Sequence, residues 1–239
     1  MDNNENKEAK KEIISTGHPE IDKKLGGGLP IGSLTLIEGQ SDAGKSVLCQ
    51  QMIWGSLKTE NKIIVFTAEN STKSLIKQMD SLGLFILDYV LLNRIKIYYM
   101  KASEIKKDAS KTLDTILDTI GKNSNFRLII VDSLTPIVSS ANDNELLGYF
   151  ERCKSFCDQK RTIINVLHTY AVNNDILIRL RSACDAHLKL TIEKIGDKLV
   201  KTLEVAKVRG AAQTTGNIVT FEVEPEVGMK IMPLSRAKA

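Results

Sequence analysis

Two rhythms of apolar and polar positions alternate along most of the chain. Short runs that are apolar at nearly every position, such as Leu128–Val131, are typical of strands covered on both faces of a parallel sheet. Longer segments with helical spacing separate these runs. The predicted strands are Leu34–Glu38, Ile63–Thr67, Ile95–Met100, Leu128–Asp132 and Thr162–Leu167, and the predicted helices are Lys45–Leu57, Thr72–Leu82, Ala102–Ile120, Asp143–Asp158 and Asp175–Cys184. The pattern predicts an α/β fold with a mostly parallel sheet flanked by helices.

The rhythm changes near the C-terminus, where short strand patterns follow one another without helices. They cover His187–Lys194, Lys198–Val208 and Gly216–Glu224, and Gly196-Asp197 is predicted to form a tight turn between the first two. We therefore expect an antiparallel C-terminal extension of the sheet. Residues 1–11 are polar and charged, unlike a signal peptide, and are predicted to be a disordered leader. Residues 12–239 are expected to form a single domain.

The first predicted strand runs into Gly39-x4-Gly44-Lys45-Ser46, and a predicted helix follows. This is the P-loop pattern in the strand-to-helix context that it requires. Backbone N–H groups at the helix N-terminus are expected to hold phosphates, with Lys45 on the β- and γ-phosphate oxygens and Ser46 on Mg²⁺. The predicted nucleotide-binding residues of this segment are Gly39, Ser41, Asp42, Ala43, Gly44, Lys45, Ser46 and Val47. The chain is therefore predicted to be a P-loop protein that binds a nucleoside triphosphate such as ATP.

Two carboxylates follow predicted strands and complete the candidate chemistry. Asp132 ends an apolar strand, as the Walker B carboxylate does, and is predicted to hold Mg²⁺ opposite Ser46. Glu69 lies at the carboxyl end of the next strand after the P-loop, where it could act as a general base through one water, with Lys45 as the second catalytic residue. Each carboxylate has a simpler alternative, which is to cap the helix that follows it.

Three further polar residues are candidate contacts to nucleotide. His168 follows the strand Thr162–Leu167 at the same sheet edge and could sense the γ-phosphate, although an exposed structural histidine is an equal alternative. Lys207 and Arg209 close a later strand two residues apart, and such a pair could reach a neighbouring subunit's γ-phosphate as an arginine finger does. Two basic residues on a solvated sheet edge are the alternative.

Composition and cysteine usage narrow the picture only slightly. The net charge of +4 is too small to argue for nucleic-acid binding by itself, and no stretch approaches the length of about 20 apolar residues that spans a bilayer. Cys153 and Cys157 lie one helical turn apart without a second matching ligand pair, so a metal site is disfavoured. We interpret these two, together with Cys49 and Cys184, as buried thiols in a reducing cytoplasm.

With these motifs in view, the chain resembles the KaiC-like branch of the RecA-superfamily ATPases from about Ser15 to Val227. The resemblance is carried by Thr16-Gly-His-Pro-Glu-Ile-Asp22, Gly27-Gly-Leu-Pro-Ile-Gly32, the P-loop, Asp132-Ser133 and Lys207-Val-Arg-Gly210. Within that branch, the segment Ile178–Leu190 and the single-domain length are similar to the FlaH family of the archaellum, the archaeal flagellum.

This resemblance implies a hexameric ring with nucleotide near the subunit boundaries, where Lys207 and Arg209 act on a neighbour's site. It implies ATP with Mg²⁺ as cofactors, a cytoplasmic position at the membrane-bound motor, and the motor ATPase and membrane platform as partners. KaiC-like ATPases carry adjacent glutamates after the second strand, whereas this chain has Glu69-Asn70, so we expect weak hydrolysis and a regulatory role. Asp42 is unusual beside a triphosphate, and its side chain is expected to point outward.

Two other functions remain open. A RecA-type DNA-dependent ATPase would need basic loops after Asp132 and His168, but Ser133–Ser140 and Thr169–Asn174 contain neither Lys nor Arg. Nucleic acid is therefore not an expected partner. A KaiC-like signalling ATPase or autokinase would need a phosphorylatable residue near a γ-phosphate, for which Thr214 and Thr215 are candidates.

Overall fold

A central sheet organises the protein, whose computed structural model describes residues 13–195, 198–211 and 218–232. Within these residues, nine strands form the sheet: β3 Leu34–Gly39, β4 Ile63–Thr67, β5 Ile95–Tyr99, β6 Leu128–Asp132, β7 Thr162–His168, β8 Ala186–Ile195, β9 Lys198–Val208, β10 Ile218–Glu224 and β11 Gly228–Met232. They pair in the order β11-β10-β9-β8-β3-β7-β6-β4-β5. Strands β3, β4, β5, β6 and β7 run parallel to one another, as the sequence predicts. Strand β8, which the sequence pattern assigned to the antiparallel extension, runs parallel to β3 and antiparallel to β9.

Helices cover both faces of the sheet and enclose two apolar cores. Their bounds are α1 Pro19–Lys24, α2 Lys45–Lys58, α3 Thr72–Ser81, α4 Leu87–Leu91, α5 Ala102–Lys107, α6 Ala109–Lys122, α7 Thr135–Val138, α8 Asp143–Cys157 and α9 Asn174–Ala183. Helices α1, α2 and α3 pack on one face, and α6, α8 and α9 pack on the other. Strands β3, β4 and β7 are buried at nearly every position because both of their faces are covered.

The antiparallel extension runs through β8, β9, β10 and β11. Strand β11 is an element that the sequence pattern did not predict. The β8–β9 ladder contains a register shift between His187 and Leu188, after which Lys207 pairs with His187. Arg209 lies in the turn that follows β9, so it does not share a strand face with Lys207, in contrast to the prediction. The register shift is a β-bulge, and a bulge re-aims the side chains of the residues beside it, here those near Lys207.

A carboxylate within the segment before the P-loop shapes a loop that packs against α2. Two short strands, β1 (Ile13–Ile14) and β2 (Leu29–Pro30), pair with each other on either side of α1. Asp22 accepts hydrogen bonds from the backbone N–H and the hydroxyl of Thr16, at 2.8 and 2.7 Å. These bonds hold Gly17 against Gly55 of α2, where no side chain fits. The Thr16–Asp22 motif therefore fixes the conformation of a loop that packs against α2, the helix that follows the P-loop.

Some predicted boundaries were wrong. The predicted helix Ala102–Ile120 is two helices, because Asp108 is extended and its side chain accepts a hydrogen bond from the Lys111 N–H, which starts a new helix. Strand β5 ends at Tyr99, one residue before the predicted Met100. The short elements β1, β2, α4 and α7 were not predicted. The predicted leader, the Gly196-Asp197 turn, Thr214-Thr215 and the start of the strand at Gly216 lie outside the described residues.

Candidate nucleotide-binding site

A cleft of about 420 Å³ opens where the carboxyl ends of β3, β6 and β7 meet. Ligand sites of open parallel sheets occur at this edge. The cleft is lined by Ser41, Asp42, Gly44, Lys45, Ser46, Val47, Glu69, Gln78, Asp132, His168 and Lys201. The structure thus brings the predicted P-loop, Glu69, Asp132 and His168 together in one place. Gly39 and Ala43 were also predicted to contact nucleotide, but neither of them lines the cleft. Gly39 is the last residue of β3, and Ala43 is a buried residue of the loop.

Two glycines allow the loop to follow its path. A Cβ atom on Gly39 would lie 2.1 Å from the carbonyl oxygen of Leu190, so the neighbouring strand leaves no space for a side chain. Gly44 has a φ of 95°, in the left-handed region, and begins helix α2 as its N-cap. Because the N-cap carries no side chain, the first N–H groups of α2 face the cleft without a capping partner from that residue.

Lys45 is buried and folded onto its own loop. Its Nζ donates hydrogen bonds to the carbonyl oxygens of Gly39, at 3.3 Å, and Gln40, at 2.5 Å. Burial lowers the pKa of Lys45, and the nearby carboxylates of Asp132 and Glu69 partly offset that effect. The loop carbonyls thus keep the ammonium group in place at the floor of the cleft.

Asp132 faces Ser46 across the cleft floor. Burial raises the pKa of Asp132 to about 6, while a hydrogen bond with the Ser46 side chain acts in the opposite direction. Asp132 does not cap a helix, since the following α7 begins after Leu134 and has no side-chain cap. Asp42 is exposed at the rim, as expected for a carboxylate near a phosphate site.

Glu69 and His168 stand at the mouth of the cleft. Glu69 is exposed, and it does not cap α3 either, because the Ser71 side chain fills that position by accepting from the Ser74 N–H at 3.2 Å. His168 lies within 2.5 Å of the Tyr170 hydroxyl at its Nδ1. Burial and the Lys45 charge lower the pKa of His168. A neutral imidazole is therefore favoured beside the ammonium group.

Lys207 and Arg209 do not line this cleft. Gly39 pairs with Leu190 at the cleft edge of the sheet, whereas Lys207 pairs with His187, three residues back along β8. Three strand residues correspond to about 10 Å. The predicted contact of these cations with nucleotide is therefore not made within the described part of their own chain.

Lys201 and Gln78 are cleft residues that the sequence analysis missed. Lys201 lies on β9 opposite Ile192, and so at the cleft edge, six residues before Lys207. Gln78 of α3 accepts a hydrogen bond from Gln50 of α2 at 2.9 Å. No local pattern marks either residue, because their place at the site follows from strand and helix packing. The antiparallel extension thus supplies a cation to the phosphate cradle.

The residues present suit a nucleoside triphosphate with a divalent cation. Gly44 leaves backbone N–H groups accessible, and two ammonium groups, Lys45 and Lys201, line the same cleft. The Ser46 hydroxyl and the Asp132 carboxylate are oxygen donors of the kind that Mg²⁺ prefers. The donor set therefore fits both parts of the implied ligand.

Comparison with known proteins agrees with this geometry. The family model described as "ATPase: KaiC" matches residues 14–236. The archaeal flagellar ATP-binding protein FlaH of Sulfolobus acidocaldarius is 30% identical over 230 residues, which cover 95% of this chain and 100% of that protein. The chain belongs to the FlaH family of KaiC-like ATPases. FlaH of Methanocaldococcus jannaschii is 28% identical, with 91% of this chain and 94% of that protein covered.

A solved structure extends the similarity to the fold. The crystal structure of the flagellar accessory protein FlaH from Methanocaldococcus jannaschii has a TM-score of 0.81 at 25% identity, and the match covers 92% of this chain and 98% of that one. The similarity to FlaH therefore includes the antiparallel extension as well as the P-loop core. Among the helices of the described residues, none combines the length and apolar character needed to cross a bilayer.

Proposed function

We propose that the protein is an ATP-binding, weakly hydrolysing component of the archaellum motor, assembled as a hexameric ring that changes its contact with the motor ATPase according to the bound nucleotide. The cleft residues and the FlaH family membership support ATP as the ligand. The observation that supports the ring is the position of the cations along β9. Its start places Lys201 in the chain's own cleft, and its end holds Lys207 away from that cleft.

The chain's own residues have separate tasks in this proposal. The N–H groups at the start of α2, with Lys45 and Lys201, hold the phosphates. Ser46 and Asp132 hold Mg²⁺, which would neutralise phosphate charge when bound. Glu69 orients a water at the mouth, His168 contacts the terminal phosphate, and Lys207 with Arg209 completes the neighbour's site.

Weak hydrolysis follows from Glu69 being a single glutamate at a position where KaiC-like ATPases carry two adjacent glutamates. Glu69 is exposed, and its neighbour is Asn70, whose side chain accepts a hydrogen bond from Ser74 at 2.9 Å. An exposed side chain is poorly fixed, so it holds an attacking water in place for only part of the time. The site is therefore suited to retaining ATP as a signal rather than to rapid turnover.

The proposed surroundings of the protein are the cytoplasmic face of the membrane-bound motor, with the motor ATPase and the membrane platform as partners. Nucleic acid is not among the proposed partners. The segments after β6 and β7, which would be the DNA loops of a recombinase, form α7 and a short turn of 3-10 helix at Thr169–Ala171 and carry no Lys or Arg.

Steady-state ATP turnover of the purified protein, with and without single-stranded DNA, tests this proposal. We expect tight ATP occupancy with turnover below about one per minute, far under the typical enzyme range of about 1–10³ per second. Lys45→Ala should abolish occupancy, whereas Glu69→Gln should abolish only the residual turnover. Rapid turnover stimulated by DNA would contradict the proposal and favour a recombinase-type ATPase.

A further inference from the structure

A charge cluster around one buried carboxylate lies directly behind the P-loop and has no part in the cleft. Glu38, the residue before Gly39, is 0% exposed. Its Oε1 accepts hydrogen bonds from Arg181 Nη2 at 2.5 Å and from His187 Nε2 at 2.9 Å. Burial by itself would raise the pKa of Glu38, but these two partners outweigh it and the net shift is downward. The carboxylate is thus held ionised in the interior.

The same arginine contacts the distant end of β9. Lys207 Nζ donates a hydrogen bond to the Arg181 carbonyl oxygen at 2.6 Å. This carbonyl belongs to the last turn of α9, where carbonyl groups lack helical partners and a cation is favoured. Arg181 therefore bonds at its guanidinium to the P-loop strand and at its backbone to Lys207.

Asp185, the residue before β8, fixes the second cation of the pair. Its backbone carbonyl accepts from the Arg209 N–H at 2.9 Å, and its carboxylate lies 4.0 Å from Arg209 Nη1. The carboxylate also accepts from the Leu34 N–H, at 3.0 Å, and from Lys154 Nζ. Residues 181–185 thus form a bracket that contacts β3 at both ends and holds both Lys207 and Arg209.

We propose that Arg181 is a positioning residue that transmits occupancy of the chain's own cleft to the Lys207–Arg209 pair. A ligand on the P-loop acts on Gly39 and hence on Glu38. Glu38 is fully buried, so losing Arg181 would leave its charge without one of its two partners, and we expect the ion pair to move as one unit when the strand end moves. The end of α9 then moves with Arg181, and so does the Arg181 carbonyl oxygen that accepts the hydrogen bond from Lys207. In the ring proposed above, on which this inference rests, each subunit would thereby report its nucleotide to the next.

Hydrogen–deuterium exchange of the full chain tests the transmission without using activity. The protein is diluted until analytical ultracentrifugation shows single chains, and exchange is measured with and without Mg²⁺ and ATP. In the wild type we expect ATP to slow exchange several-fold both in the P-loop and in residues 178–187 and 203–211. In Arg181→Met, at equal ATP occupancy, the slowing should stay confined to the P-loop.

Two variants separate positioning from stability. Glu38→Gln with Arg181→Met leaves neither charge buried and unpaired, so it should melt near the wild type and still fail to transmit. Arg179→Met changes an exposed arginine on the same helix and should transmit as the wild type does. Transmission that persists in the double variant, or a wild type that responds only in the P-loop, would overturn the inference. Transmission in a wild type that never assembles would support the inference and contradict the proposed ring.

Discussion

The ring of Phe221 packs on Gly44 of the P-loop so closely that a Cβ atom on the glycine would lie 2.9 Å from two ring carbons. Phe221 pairs with Lys201 across the β9–β10 ladder. The antiparallel extension is therefore a wall of the nucleotide cleft and not an appendage of the core. It brings both an aromatic contact and a cation to the loop.

Lys201→Met should weaken ATP binding. The variant removes an ammonium group from the cleft and keeps most of the aliphatic side chain, so the loss reports the charge. We expect about tenfold weaker binding, or about 1.4 kcal/mol, by isothermal titration calorimetry. Lys194→Met, at an exposed position of β8, is the matched control and should bind ATP as the wild type does. Equal affinity for the two variants would remove Lys201 from the site.

Gly55→Ala should destabilise the fold. A Cβ atom there would lie 2.2 Å from the Gly17 N atom and 2.4 Å from the Thr16 carbonyl carbon, both of them backbone. Overpacking of this kind costs about 1–3 kcal/mol. Gly148 is also inside a helix, α8, but apart from its chain neighbours and the backbone of its own helix no atom lies within 4 Å of its ideal Cβ position. Gly148→Ala should therefore stabilise by about 0.5–1 kcal/mol. Urea unfolding of the two variants checks the opposite signs, and a stable Gly55→Ala would refute the contact.

Glu38→Gln should change how stability depends on acid. The folded-state pKa of Glu38 lies below its ordinary value of 4.5, so its ion pair stabilises the fold above that pH and loses this effect as the pH falls through the folded value. The charged and titratable partners facing it are Arg181 and His187. The stability difference between wild type and variant should be largest near neutral pH and shrink below pH 4.5. Urea unfolding across this range measures it, and a constant difference would contradict the assignment.

The four cysteines should resist alkylation in the folded protein. All four are buried and form no disulfide. Burial raises the pKa of Cys157 and of Cys184 to about 12, and it also raises the pKa of Cys49 and of Cys153. Because the thiolate is the nucleophile, iodoacetamide should react slowly until denaturant exposes the thiols. Mass spectrometry of the labelled chain measures this. Fast modification of any of the four in the native state would show that its surroundings open.

Local pattern was enough to predict the core of the fold and the P-loop. Leu34–Gly39 and Leu128–Asp132 are apolar runs that end in polar residues, and each is a strand in the structure because both faces are covered. The helix break at Asp108 escaped prediction because the apolar spacing continues across it, while the side-chain cap that restarts the helix is a local competitor.

Long-range contacts explain what the sequence did not reveal. Lys201 reaches the cleft only because β9 lies next to β8, and β8 next to β3, and no spacing near residue 201 encodes that order. The Glu38 cluster joins residues separated by 143 and 149 positions in the chain. The one local signal of this cluster was Glu38 itself, because a carboxylate within an apolar strand is buried and requires partners.

The mass of the assembly with and without Mg²⁺ and ATP tests the ring most directly. We predict that the wild type assembles into a closed ring on binding ATP. A variant with both Lys207→Ala and Arg209→Ala should still bind ATP in its own cleft, because neither residue lines that cleft. It should remain a single chain, because both residues are proposed to complete the neighbour's site. A wild type of the same mass with and without ATP, or a double variant that assembles as the wild type does, would contradict the account.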